Sequence, residues 1–161
     1  MADPLAQGVA RELKTCGITH IVWLPDSRAR FLYQALQAEP SFHMVPVCRE
    51  GEAFGVAAGL HLGGKKPLVL IQNTGFLESG DSVAGIALDM KLPLLIMIGY
   101  QGWSKTAPVN RASALCLEPM MKVWDIPYYF LETEKDLPHI AQADRQAQES
   151  ARPAAVIITR E

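Results

Sequence analysis

Two acids, Glu50 and Glu52, stand in the stretch VPVCREGEAFGVAAG (residues 45–59), where an apolar run gives way to glycine and alanine. A carboxylate at such a junction has two uses. It can cap a helix, because negative charge in a first turn is favoured by the helix dipole. It can instead be a catalytic acid or base held at the mouth of a sheet, which requires a dry setting. Gly51, Ala53, Ala57 and Ala58 around Glu50 suit that second use, and equally suit close packing of the helix against another helix.

Other constellations are weaker. GLHLGGKK (59–66) fits the first part of a phosphate-binding loop, but Lys66 stands where a Ser or Thr should hold magnesium. It also closes a helix and precedes a strand, the reverse of the context that aims backbone N–H groups at phosphates. SGDS (79–82), with Asn110 further on, lacks the final glycine of a Gly-Asp-Gly magnesium motif, so no metal site is expected in this chain. His20, His43, His61 and His139 are scattered, and Cys16, Cys48 and Cys116 are odd in number and far apart. Neither set forms a metal or disulfide pattern.

Composition narrows the field further. The chain has 161 residues, 49% of them apolar, and a net charge of −2. This reads as one ordered globular domain, residues 1–161, without the basic footprint of a nucleic-acid binder. No apolar run reaches the roughly 18 residues of a membrane span. The N-terminus, MADPLAQGVAREL, is not laid out as a signal peptide, so a cytoplasmic location is expected, with neither nucleic acid nor membrane as a partner.

The elements that must position these residues alternate. Asp3 and Pro4 open a helix that Gly17 closes. Strands are expected at 18–25, 43–48, 67–72, 92–99, 126–132 and 153–160, and helices at 28–37, 51–62, 81–90, 117–124 and 134–150. NTGFLESGD (73–81) reads as a loop. Continuously apolar strands separated by helices imply an α/β three-layer sandwich with about six mainly parallel strands. In such sheets ligands gather at the carboxyl ends of the strands. Chemistry is therefore expected at Pro25–Ser27, Cys48–Glu52, Gln72–Leu77 and Gly99–Trp103.

Together, GITHIVWLPDS, REGEAFGVAAGLHLGGKKPLVLIQNTG and LPLLIMIGYQGW resemble the pyrimidine-binding domain of thiamine-diphosphate enzymes, and more narrowly the sulfopyruvate and phosphonopyruvate decarboxylase group. The most specific element is Glu50 followed nine residues later by Gly59. The resemblance implies that Glu50 hydrogen-bonds N1′ of the cofactor's aminopyrimidine and shares a proton there. The activated thiazolium then attacks a 2-oxo acid, and carbon dioxide departs. It implies further that Pro25 and the QNTG segment, Gln72, Asn73, Thr74 and Gly75, lie near the cofactor. Asp26, Ser27 and Arg30 are the implied substrate residues, an arginine suiting a sulfonate, phosphonate or carboxylate. Arg28 and Arg30 also read as solvated helix residues.

The sequence departs from the group after Gly75, where Phe76-Leu77-Glu78 replaces Leu-Gly-Asn, and at Asp26, which replaces a cysteine. The diphosphate-binding half of full-length relatives has no counterpart in these residues. The chain therefore resembles the alpha subunit of a two-subunit decarboxylase. A beta subunit would hold magnesium and the diphosphate of thiamine diphosphate, in a two-alpha, two-beta or larger assembly. A carboligating 2-oxo acid lyase and a non-catalytic regulatory domain remain as rival readings.

Overall fold

A computed structural model describes residues 3–109 and 111–160, so Asn110 lies outside the described residues. Six strands form one sheet: β1 (His20–Trp23), β2 (His43–Pro46), β3 (Pro67–Gln72), β4 (Leu95–Gly99), β5 (Tyr128–Leu131) and β6 (Ala154–Ile158). Their order is β2-β1-β3-β4-β6-β5, and every neighbouring pair is parallel. All strands consequently end on one rim of the sheet. The parallel six-stranded α/β architecture is the one expected.

Side chains alternate across the sheet, as strand geometry demands. Ile21, Trp23, Leu68, Leu70, Met97 and Val156 face one layer of helices. That layer holds α1 (Pro4–Thr15), α2 (Tyr33–Ala38) and α7 (Pro138–Ser150). Val22, Val69, Ile71, Ile96, Ile98 and Ile157 face the other. There stand α3 (Glu50–Leu62), α4 (Asn73–Glu78), α5 (Gly80–Ser82), a π-helical turn (Val83–Leu88) and α6 (Ala112–Val123).

Three expectations are corrected. The segment 73–81, expected as a loop, falls in α4 and α5 with a single turn at Ser79: Phe76 is fully buried and meets Trp124 edge-on at 5.6 Å, and this packing overrides the polar, glycine-rich composition. Ser79 donates to Gly75 O at 2.7 Å, an i−4 back-bond of the kind that bends helices. The 28–37 helix begins late, with a turn and a 3₁₀ segment at Arg30–Leu32. Helix α6 starts earlier than 117 and runs through Pro119, fastened where Tyr100 Oη donates to Ala114 O at 2.9 Å. The remaining elements match to within a few residues, the ordinary scatter of helix and strand ends.

Candidate active site

The chain leaves β1 for the edge strand β2, with α2 on one face, and then returns past β1 to β3 with α3 on the other face. The strand order therefore reverses between β1 and β3. The connections diverge there and open a crevice at the strand ends, the usual place for a ligand in such sheets.

Glu50 begins α3 at one side of this crevice and is half-buried. Its side chain lies on Gly75, in the first turn of α4. A Cβ built on Gly75 would overlap Glu50 Cγ, Cδ and Oε1, so only glycine admits this seat. Helix α3 does not use Glu50 as its cap. That role belongs to Glu52, whose Oε2 accepts from the backbone N–H of Cys48 at 3.0 Å and of Arg49 at 3.2 Å. The two acids are thereby separated, one spent on the backbone and one seated on Gly75. Arg49 ties the start of α3 to α4 by donating from Nε to Glu78 Oε1 at 2.6 Å.

Asp26 stands on the other side. Its Oδ1 accepts from the N–H of Arg28 at 2.6 Å and of Ala29 at 2.9 Å, which shapes the turn after β1. Oδ2 is buried without a hydrogen-bond partner. Burial pushes the carboxyl above its ordinary value, against the turn amides, the nearby Gln72 side chain and the Arg28 guanidinium. The turn passes so close to β4 that a Cβ on Gly99 would lie 2.8 Å from Arg28 Cβ and 3.3 Å from Asp26 Oδ1.

The QNTG segment spans the two sides and divides its labour. Thr74 donates to Gln72 Oε1 at 2.8 Å on the exposed surface. Asn73 is fully buried and its amide is turned inward: Oδ1 accepts from Gln101 N at 3.0 Å and Nδ2 donates to Gln101 O at 3.1 Å. Pro25, Ser27 and Arg30 are exposed and, with Asp26, line a cavity of about 500 Å³ against Trp23 and Tyr33, whose rings stack at 5.0 Å. The Arg30 side chain has no hydrogen bond or ion pair among the described residues. The structure thus joins Glu50 to Gly75 and Asp26 to the end of β3, and sets Arg30 apart beside the aromatic pair.

Residues outside the predicted set also shape the rim. Arg28 is half-buried and donates from Nε to Gln101 Oε1 at 3.0 Å, so it is not a solvated helix residue. Gln101 lies in a strand-end segment that sequence reasoning marked, but no local pattern singled it out.

Among the described residues, no cluster of three His, Cys, Asp or Glu side chains is placed to hold a metal, and no helix is long and apolar enough to cross a membrane. The family description "Thiamine pyrophosphate enzyme, N-terminal TPP binding domain" matches residues 4–115. Over 125 residues the chain is 30% identical to the sulfopyruvate decarboxylase subunit alpha of Methanocaldococcus jannaschii, covering 77% of this chain and 74% of that one. It is 29% identical to the subunit alpha of Methanothermobacter thermautotrophicus, covering 76% and 75%. A sulfopyruvate decarboxylase of Methanosarcina acetivorans is 26% identical over 91% of this chain but only 38% of its own length.

Proposed function

Because the chain belongs to the thiamine pyrophosphate enzyme family, as its N-terminal TPP binding domain, we propose that it is the alpha subunit of a thiamine-diphosphate-dependent 2-oxo acid decarboxylase acting on sulfopyruvate or a similar anionic acid. The observation that carries this reading is the seat of the Glu50 carboxylate on Gly75, at the reversal point of the sheet. A carboxylate released from capping and held over the crevice suits the N1′ atom of an aminopyrimidine. There it would hold and return one proton. Bound thiamine diphosphate would supply the electron sink for loss of carbon dioxide.

The remaining roles are part of the same proposal. Gln72, Thr74 and Gly75 are assigned to the cofactor together with Pro25, which also lines the cavity of Asp26 and Ser27, while Asn73 holds the rim through the Gln101 backbone. Asp26, Ser27 and the unpaired Arg30 suit the substrate side, where a guanidinium can pair with a sulfonate or carboxylate. Magnesium and the diphosphate are assigned to a beta subunit. In the longer Methanosarcina acetivorans relative, the part matching this chain is followed or preceded by much further sequence, since it is only 38% of the whole.

The outer surface of the α3 layer supports such a partner. Between its acidic first turn and His61, helix α3 carries only apolar residues and glycine on all sides, the pattern of a helix covered all round. Gly55 and Gly59 are exposed, and a Cβ at Gly59 would meet nothing within 4 Å. Each such glycine costs about 1 kcal/mol of helix stability relative to alanine. Packing within the chain gives no return for that cost at Gly59, whereas close approach of another subunit does. Leu62, Leu115 and Val123 are exposed on the same layer.

The test is Glu50→Gln in the complex reconstituted with the beta subunit. Loss of sulfopyruvate decarboxylation by roughly 10²–10⁴-fold is expected, with circular dichroism and assembly unchanged. Turnover near the wild-type rate would overturn the reading.

A further inference from the structure

The sheet's hydrogen-bond ladder does not by itself fix the two sides of the crevice relative to each other. Beyond β1, Leu24 N donates to Leu70 O at 3.3 Å, and after that the turn over Pro25–Ala29 has no backbone bond to β3 or β4 among the described residues. What holds it is a chain of side-chain bonds centred on Gln101. The Gln101 backbone is gripped through both its N–H and its C=O by the buried Asn73, at the first position of α4. Its side-chain Oε1 accepts from Arg28 Nε at 3.0 Å, and Arg28 reaches on to Arg160 O at 3.3 Å beyond β6. The N–H of the same Arg28 shapes the Asp26 turn.

We propose that Gln101 is a positioning residue: it holds the β1 turn, with Asp26, at a fixed spacing from the α4 terminus that seats Glu50. This rests on the decarboxylase reading only in its consequence for rate; the mechanical link stands on the bonds themselves. The joint between Gln101 and the turn runs through one side-chain oxygen. Replacing Gln101 by alanine leaves the Asn73 grip on the backbone intact and removes the Arg28 Nε bond, while Arg28 keeps its bond to Arg160 O. Glutamate keeps an oxygen for Arg28, and so should restore the link.

Two measurements test this. In the isolated chain, Gln101→Ala should speed hydrogen exchange at the Arg28 and Ala29 amides about tenfold or more, as expected for a locally freed turn, while the melting temperature shifts by no more than about 4 °C. Gln101→Glu should return exchange to the wild-type rate. In the reconstituted complex, Gln101→Ala should lower kcat about 10- to 100-fold with KM within about threefold, the signature of misplaced groups. Arg28→Ala with Gln101→Ala should be no worse than Arg28→Ala alone, because both break one link. Unchanged exchange in Gln101→Ala, or additive effects in the double variant, would overturn the proposal. A wild-type complex without decarboxylase activity would instead sink the functional reading, and the exchange measurement would still decide the role of Gln101.

Discussion

Helices α1 and α7 turn Leu5, Val9, Leu13, Ile140, Ala143 and Ala147 to the sheet and present Gln7, Arg11, Lys14, Arg145 and Glu149 to water. Helix α3, on the opposite face, buries Ala53, Phe54, Ala57 and Ala58 but shows Gly55, Gly59 and Leu62 outward, with α6 adding Leu115 and Val123. Both layers cover the same sheet with comparable cores. The first is finished as a water-facing surface; the second leaves glycines and large apolar side chains open beside charged ones such as Glu52 and Lys122. Glu50 belongs to the second, so the candidate catalytic group and the unfinished surface lie on the same helix. On the proposed function, the crevice would be completed by whatever covers that surface.

That contrast can be broken at its most sensitive point first. Gly75→Ala should displace the Glu50 side chain, because the added methyl occupies the space of its Cγ and carboxylate. A loss of activity on the order of 100-fold is expected in the reconstituted complex, in line with other misplacements of reacting groups. Denaturant unfolding of the isolated chain should show it still cooperatively folded. Retained activity would mean that Glu50 does not work from this seat.

A second substitution separates the layers themselves. Gly59→Leu meets open space within the chain, and so should leave the isolated subunit as stable as wild type or up to about 1 kcal/mol more stable, from helix propensity. The same change should abolish co-sedimentation with the beta subunit. Arg145→Leu on the exposed side of α7 is the control and should leave association intact. Equal effects from both substitutions would erase the distinction between the layers.

The smallest expected effect is chemical. Cys16 is half-buried, and burial with the nearby Asp144 carboxylate pushes its thiol up to about 11. The thiolate is the reacting form, so Cys16 should resist alkylation at pH 8 and gain reactivity only as pH rises toward that value. Cys48 and Cys116 are exposed, Cys116 on the outer side of α6. Mass spectrometry after maleimide treatment should find both labelled in the free chain, and Cys116 protected once the complex has formed.

How much of this could be read in advance depended on whether the decisive contacts were local. The parallel sheet was legible because each strand carries its own apolar run. The strand-to-helix junction at Glu50 was legible because the strand, the acid and the small-residue helix are contiguous; its seat on Gly75, 25 residues further on, was not. Nor was the helix over 73–78. Its composition reads as a loop, and it is held in place by Phe76 against Trp124 and by Asn73 against Gln101, partners 48 and 28 residues away. Arg28 and Gln101 were hidden for the same reason, being 73 residues apart. Glu52 shows the converse. Its capping partners lie three and four residues upstream, close enough for a local pattern to have assigned it.

The position of β6 has a consequence for the chain's birth. Residues 154–158 are the last strand in sequence, yet they lie between β4 and β5 and pair with both. While the ribosome has yet to release them, β4 lacks one neighbour and β5 lacks the only one it has among the described residues. Five strands can be outside the exit tunnel with the sheet still divided. Native closure therefore waits for the end of this segment's synthesis, and during that interval two open edges invite wrong pairings.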